Sequence, residues 1–187
     1  MIPIKNKKKN LEVTIEEMRG FALNYIEKFA PSKQQLKTYL LKKYLRSRGD
    51  KIKKSNVSDL IDIVLENLEE TKFINDKFYS ESKAKNLIHR GSSINKIRNY
   101  LMIKGVREKY IKYTIEKIRE KNDDQDFFSA IKICKKKRIG PSREEDNRQL
   151  FYKKDMGILA RSGFEFEVSR RVMDLEKDEY LKIINLL

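Results

Sequence analysis

The residues best suited to binding a ligand in this sequence are its lysines and arginines. The 187-residue chain has 43 of them against 28 aspartates and glutamates, which gives a net charge of +15. Such an excess favours partners that carry phosphate groups or an acidic protein surface. Much of it lies in four clusters: Lys5, Lys7, Lys8 and Lys9; Lys42, Lys43, Arg46 and Arg48; Lys51, Lys53 and Lys54; and Lys135, Lys136, Lys137 and Arg138.

The cluster at 135–138 is the strongest candidate contact surface. It falls at the C-terminal end of a predicted helix, where cations also interact favourably with the helix dipole. Four consecutive cations exceed what a helix end needs, although a solvated helix face stays the alternative interpretation for any single cluster. The residues expected to contact an anionic partner are Lys42, Lys43, Arg46, Arg48, Lys53, Lys54, Lys104, Lys135, Lys136, Lys137 and Arg138.

The sequence contains no arrangement of residues that predicts catalysis. The one histidine, His89, lies at a helix end in "LIHRG", without a nearby nucleophile and orienting group, so a surface or capping role is expected. The one cysteine, Cys134, is expected to be a small buried apolar residue. There is no phosphate-binding glycine loop and no metal-ligand spacing. We therefore expect a protein that is not an enzyme and has no cofactor or metal.

The distribution of apolar residues argues against a membrane protein. No apolar run approaches the roughly 18 residues that a membrane-spanning helix requires. The N-terminal sequence "MIPIKNKKKN" is basic but is not followed by an apolar signal-peptide core. We expect a cytoplasmic monomer whose residues 1–13 form a flexible basic arm.

Helical periodicity runs through nearly the whole chain, and no alternating strand pattern is present, so the sequence predicts an all-α fold. The cleanest apolar stripe is at Val57, Leu60, Ile61, Val64, Leu65 and Leu68. The prolines at positions 3, 31 and 141 act as breaks between segments.

Three segments resemble one another: "TYLLKKY" (38–44), "NYLMIKGV" (99–106) and "GILARSGF" (157–164). In the second and third, Gly105 and Gly163 follow an apolar helix and are expected to end it in a left-handed cap. The pattern predicts an elongated, curved array of three tandem three-helix repeats. Its divisions are the arm at 1–13, a leading helix at 14–31, and repeats at 32–91, 92–141 and 142–187.

Each repeat also contains an aspartate that precedes an aromatic residue at the start of its third helix. The three pairs are Asp76 with Phe78, Asp126 with Phe127, and Asp178 with Tyr180. An aspartate accepts hydrogen bonds from the free amides of a helix N-terminus, so we expect each to cap the helix that it opens. The aromatic residues are expected to anchor those helices in the core.

The ordered motifs "SKQQLKTYLLKKY", "LENLEETKFINDKFYSESKAKNLIHRG", "INKIRNYLMIKGV", "KKKRIGP" and "LARSGFEFEVSRRV" resemble the RecX family of recombination regulators. The basic insert after the first motif and "KKKRIGP" are similar to alphaproteobacterial members. The likeness covers about residues 18–175. It departs at Tyr44, where the first repeat of the family often has Lys-Gly, and within "FINDKFYSE", where an Ala usually follows the aromatic residue.

The resemblance implies a non-enzymatic regulator that binds the RecA–DNA filament and inhibits strand exchange and ATP hydrolysis. The cations above would then be candidate contacts to RecA or to single- or double-stranded DNA. Two alternatives stay open. One is a helix-turn-helix protein that binds duplex DNA directly, although no polar recognition helix stands out. The other is a protein-only scaffold.

Overall fold

The computed structural model describes the backbone of residues 11–48 and 54–187 and the side chains of residues 11–46 and 56–187. Within these ranges the chain is helical and contains no strand, which confirms the all-α prediction. The helices are α1 (Ile15–Phe29), α2 (Lys33–Arg48), α3 (Lys54–Glu70), α4 (Asp76–His89), α5 (Ile94–Ile103), α6 (Glu108–Lys121), α7 (Gln125–Lys137), a 3₁₀ helix (Gly140–Ser142), α8 (Glu145–Arg161), α9 (Phe166–Met173) and α10 (Lys177–Asn185). The first ten residues of the predicted basic arm lie outside the described residues.

The chain divides into two compact units. The first is the chain up to Tyr79 together with Lys104–Val106, and the second is Ser80–Ile103 with Arg107–Leu187. The prediction of three repeats is a finer division, which stays a prediction.

The core of the first unit is formed by α1, α2 and α3. The apolar stripe predicted for α3 is buried, because its members recur at three- and four-residue steps and so share one helix face. The fully buried side chains of this core include Met18, Leu36, Leu40, Ile61, Leu65 and Leu68. Tyr44 is also buried, and α2 continues through it to Arg48.

The core of the second unit is formed by α7, α8, α9 and α10. Its buried residues include Ala130, Ile131, Cys134, Leu159, Phe164, Val172, Met173 and Tyr180. Cys134 is the buried residue that was predicted. Burial raises the pKa of its thiol to about 12, since a thiolate would lose its solvation there.

One set of backbone contacts occurs in the first unit. The hydroxyl of Ser32, just before α2, donates to the carbonyl oxygen of Lys104 at 2.6 Å. The next amide, that of Lys33, donates to a carboxylate oxygen of Asp76 at 2.8 Å. Gly105 has a φ of +71°, as predicted for a left-handed cap, and a Cβ there would overlap the side chain of Gln34.

The same contacts recur in the second unit. Ser93, just before α5, donates to the carbonyl oxygen of Ser162 at 3.0 Å, and the amide of Ile94 donates to Asp126 at 2.7 Å. Gly163 has a φ of +88°, and a Cβ there would overlap the hydroxyl of Ser93. In both units, the turn with the glycine that ends one helix thus lies against the first residues of another helix, and the serine before that helix donates to the carbonyl that precedes the glycine.

The aspartates cap helices other than the ones they open. Asp76 is the first residue of α4, but it receives the amide of Lys33 at the start of α2. The cap of α4 is Asn75, whose side chain accepts from the Phe78 amide at 2.9 Å. Likewise Asp126 of α7 caps α5. Both aspartates accept a hydrogen bond from a free helix amide, as predicted, but the predicted helix was wrong. A cap between distant segments cannot be recognised from local sequence spacing.

The third aspartate and the aromatic anchors gave mixed outcomes. Asp178 is exposed in the first turn of α10, after the N-cap residue Glu176. Tyr180 is buried, as predicted. Phe78 is 72% exposed, so it does not anchor α4. The neighbouring Tyr79 is buried instead, because a shift of one position turns a side chain to a different face of the helix.

Candidate functional site

An open, basic cavity lies in the second unit, beside the end of α4 and the last turns of α7. Its volume is about 470 Å³. The lining residues are His89, Arg90, Lys132, Lys135, Lys136, Ile184 and Leu187. We call this cavity the basic basin. Its polar side chains are three lysines, an arginine and an imidazole, with no aspartate or glutamate among the described lining residues.

Helix periodicity and one glycine assemble the basin. Lys132, Lys135 and Lys136 are spaced at i, i+3 and i+4, so they share one face of α7. Gly91 ends α4 with a φ of +79°. A Cβ at Gly91 would lie only 3.0 Å from the Cβ of Lys132. This close approach brings His89 and Arg90 to the lysines of α7, and the absent side chain is what permits it.

The cations of the basin are not neutralised by the part of the protein that the structure describes. No hydrogen bond or ion pair joins His89, Arg90, Lys132, Lys135 or Lys136 to another described side chain. The sequence contains no aspartate or glutamate from 82 to 107 or from 127 to 143, and the five residues come from these two stretches. The basin therefore concentrates positive charge in solvent, where an anion would be attracted.

Arg143, at the end of the second of those stretches, is different. Its guanidinium contacts both carboxylate oxygens of the fully buried Asp155, at 2.6 and 2.9 Å. Asp155 also accepts from the amide of Gly140 at 2.8 Å. Burial alone would raise the pKa of Asp155, but the hydrogen bonds from Arg143 and Gly140 outweigh it and lower the pKa below its ordinary value. Arg143 is a structural cation.

The predicted contact residues fall into separate groups. Lys135 and Lys136 line the basin, whereas Lys137 and Arg138 are exposed outside it. Their roles as contacts to RecA or DNA stay predictions.

The other predicted contacts lie in the first unit or outside the description. Lys42 and Arg46 are exposed on α2. The ammonium of Lys43 lies 3.8 Å from the centre of the Phe21 ring, so this side chain already has an internal partner. The backbone carbonyl of Lys104 accepts the Ser32 bond. The side chains of Arg48 and Lys54 and the whole of Lys53 lie outside the described residues.

His89, Arg90 and Lys132 line the basin but are not among the contact residues predicted from the sequence. Lys132 is one helical turn before Lys135 and Lys136, so periodicity was the signal that could have added it to the cluster. The long stretches without carboxylates could have drawn attention to "HRG". The proximity of α4 to α7 at this point is tertiary and had no local signal.

Neither a metal site nor a membrane-spanning helix is present among the described residues. They contain no group of three or more histidine, cysteine, aspartate or glutamate side chains that could hold a metal ion. Over the same residues, no helix combines the length and apolar character needed to cross a membrane.

The sequence is basic, and the described residues form an all-helical fold. Two curated proteins match the chain, both named regulatory protein RecX. The one from Myxococcus xanthus (strain DK1622) is 28% identical over 180 residues, covering 89% of each chain. The one from Agrobacterium fabrum (strain C58 / ATCC 33970) is 23% identical over 167 residues, covering 89% of this chain and 87% of the relative. No protein-family model and no solved structure matches.

Both matches support the resemblance of the ordered motifs to the RecX family. Both relatives are named as regulatory proteins, and both align with nearly the whole chain. The narrower likeness to alphaproteobacterial members stays a prediction.

Proposed function

We propose that this protein is a non-enzymatic regulator of RecA that binds the RecA–DNA filament and inhibits strand exchange and ATP hydrolysis. The observation that carries the proposal is the match to two proteins named regulatory protein RecX along about nine-tenths of the chain. The unpaired cations of the basic basin support it, because a filament that contains DNA presents phosphate groups.

The test is the single-stranded-DNA-dependent ATPase activity of the cognate RecA. Adding the protein at amounts up to equimolar with RecA should lower the rate of ATP hydrolysis. An unchanged rate would contradict the proposal.

A basic protein could also lower this rate by covering the single-stranded DNA. The control is to raise the DNA concentration at fixed RecA and fixed regulator. Inhibition through the filament should persist when DNA is in excess, whereas inhibition through DNA coverage should disappear.

Direct binding to duplex DNA, without RecA, is the second candidate function, and the basic basin is the observation in its favour. Binding that depends on phosphate contacts weakens steeply as salt is raised. If ATPase inhibition persists at a salt concentration where duplex binding is lost, the filament is the target. If the two are lost together, direct DNA binding is the better account.

A further inference from the structure

We propose that the basic basin is a binding site for the phosphodiester backbone of a nucleic acid, with His89, Arg90 and Lys132 as binding residues alongside Lys135 and Lys136. The site therefore uses only half of the cation cluster 135–138. This inference concerns the isolated protein and does not depend on its acting on RecA.

The basin cations form no ion pair with another side chain of the described protein. Some other cations of the second unit are paired, namely Arg143 with Asp155, Arg171 with Asp124, and Lys117 with Glu81. The basin residues have no such partner among the described residues.

No basin side chain donates a hydrogen bond to a carbonyl at the end of α4 or α7 in the described protein. The last carbonyls of α4 are already used, since the amides of Gly91 and Ser92 donate to Ile88 and Leu87, both at 2.9 Å. At the end of α7, the amide of Ile139 donates to Cys134 at 3.1 Å. Backbone amides therefore satisfy some of the last carbonyls of both helices without the basin side chains.

The hydrogen-bonding character of the lining favours a phosphodiester backbone as the ligand. Lysine and arginine side chains are hydrogen-bond donors without acceptors, so four of the five polar lining residues only donate. A phosphodiester backbone presents acceptors only. An acidic peptide also presents amide donors, which would find few acceptors in this lining. The guanidinium of Arg90 has the fork geometry that suits phosphate oxygens, and the lysines act as mobile point charges.

The size of the basin favours a polymer over a free phosphate ion. The cavity is open and has a volume of about 470 Å³, with cations contributed by two helices. A single phosphate could contact only part of this lining at one time. Successive phosphates of a strand could use all of it.

The experiment compares two double variants by fluorescence anisotropy with a labelled oligothymidylate, in the absence of RecA. The lining variant is Lys135→Glu with Lys136→Glu. The matched control is Lys137→Glu with Arg138→Glu, which makes the same charge change two residues further along the chain, at exposed positions outside the basin. Far-ultraviolet circular dichroism and melting curves check that both are folded.

The lining variant should bind about tenfold more weakly or worse, and its dependence of log K on log salt should be shallower by about two. The control variant should stay close to the parent protein in both measurements. Equal weakening in both variants would show diffuse charge attraction and overturn the proposal, as would no weakening in the lining variant or no binding by the parent protein.

Replacement variants and competitor ligands serve as controls for this experiment. If the lining variant melts early, Arg90→Gln and the milder pair Lys135→Gln with Lys136→Gln replace it, and unchanged affinity in both would overturn the proposal. Inorganic pyrophosphate and a polyglutamate peptide serve as competitors. Weak displacement of the oligonucleotide by each is expected. Displacement by pyrophosphate at equal phosphate concentration would point to a free-phosphate site, and stronger displacement by polyglutamate would point to an acidic protein ligand. Both results would contradict the nucleic-acid assignment.

Discussion

The Arg143–Asp155 network and the lysines of the basic basin both belong to the second unit. Their cations come from the same stretch without aspartate or glutamate, 127–143, but they have opposite environments. Arg143 is held against a buried carboxylate, Asp155, and closes a network with the Gly140 amide. Lys135 and Lys136 line an open basin and have no described acidic partner. Position along the chain therefore does not distinguish a structural cation from one that is available to a ligand. What distinguishes them is whether a carboxylate lies against the cation.

This difference predicts unequal costs of mutation. Replacing Asp155 by Ala should lower the free energy of unfolding by about 3–5 kcal/mol, because the change leaves the Arg143 charge and the Gly140 amide without their partner. Urea unfolding measures this loss directly. A cost close to zero would show that the network does not stabilise the fold.

The same network predicts a pH dependence. The pKa of Asp155 is lowered in the folded protein from an ordinary value of 3.8, so the folded state holds the ionised form more strongly than the unfolded state does. Its contribution to stability is complete above about pH 3.8 and is lost as the pH falls through the lower, folded pKa. The stability difference between the parent protein and Asp155→Asn, followed by urea unfolding, should therefore shrink below pH 3.8. A difference that stays constant as the pH falls would contradict this.

The next largest effect is expected at the two glycines with matching environments. Gly105→Val and Gly163→Ala should each cost about 1 kcal/mol or more, because the backbone is left-handed and the new side chain would overlap Gln34 or Ser93. Gly157→Ala is the control, since Gly157 lies inside α8 without a positive φ. It should be neutral or stabilising. Equal melting temperatures in all three variants would disprove a special role for the two caps.

The smallest effect on stability is expected in the basic basin. Lys136→Gln changes an exposed side chain that has no partner among the described residues, so the melting temperature should stay within the spread of repeated measurements. A clear fall in melting temperature would mean that Lys136 has a structural role, and the contrast with Arg143 would fail.

Much of the fold could be predicted from the sequence because its signals are local. The apolar stripe of α3, the glycine caps and the burial of Cys134 each follow from residue type and helical spacing. What the sequence could not supply depends on distant segments. Asp76 and Asp126 cap helices 43 and 32 residues away in the sequence. The pairing of Arg143 with Asp155 and the approach of Gly91 to Lys132 are likewise tertiary.

The candidate site shows the same limit. Composition identified the cluster 135–138 as a candidate surface, since a run of cations is visible without a structure. It could not divide the run, because the division between Lys136 and Lys137 depends on which face of α7 borders the basin. His89 was assigned a surface or capping role; its side chain is exposed, and it lines the basic basin.

The most direct test of the account is the single-stranded-DNA-dependent ATPase rate of the cognate RecA with excess DNA. The rate should be compared without the regulator, with the parent protein and with Lys135→Glu/Lys136→Glu. The account predicts that the parent protein lowers the rate and that the lining variant lowers it less. An unchanged rate with the parent protein would contradict the proposed regulation of RecA. Equal inhibition by the two proteins would show that regulation does not use the basin.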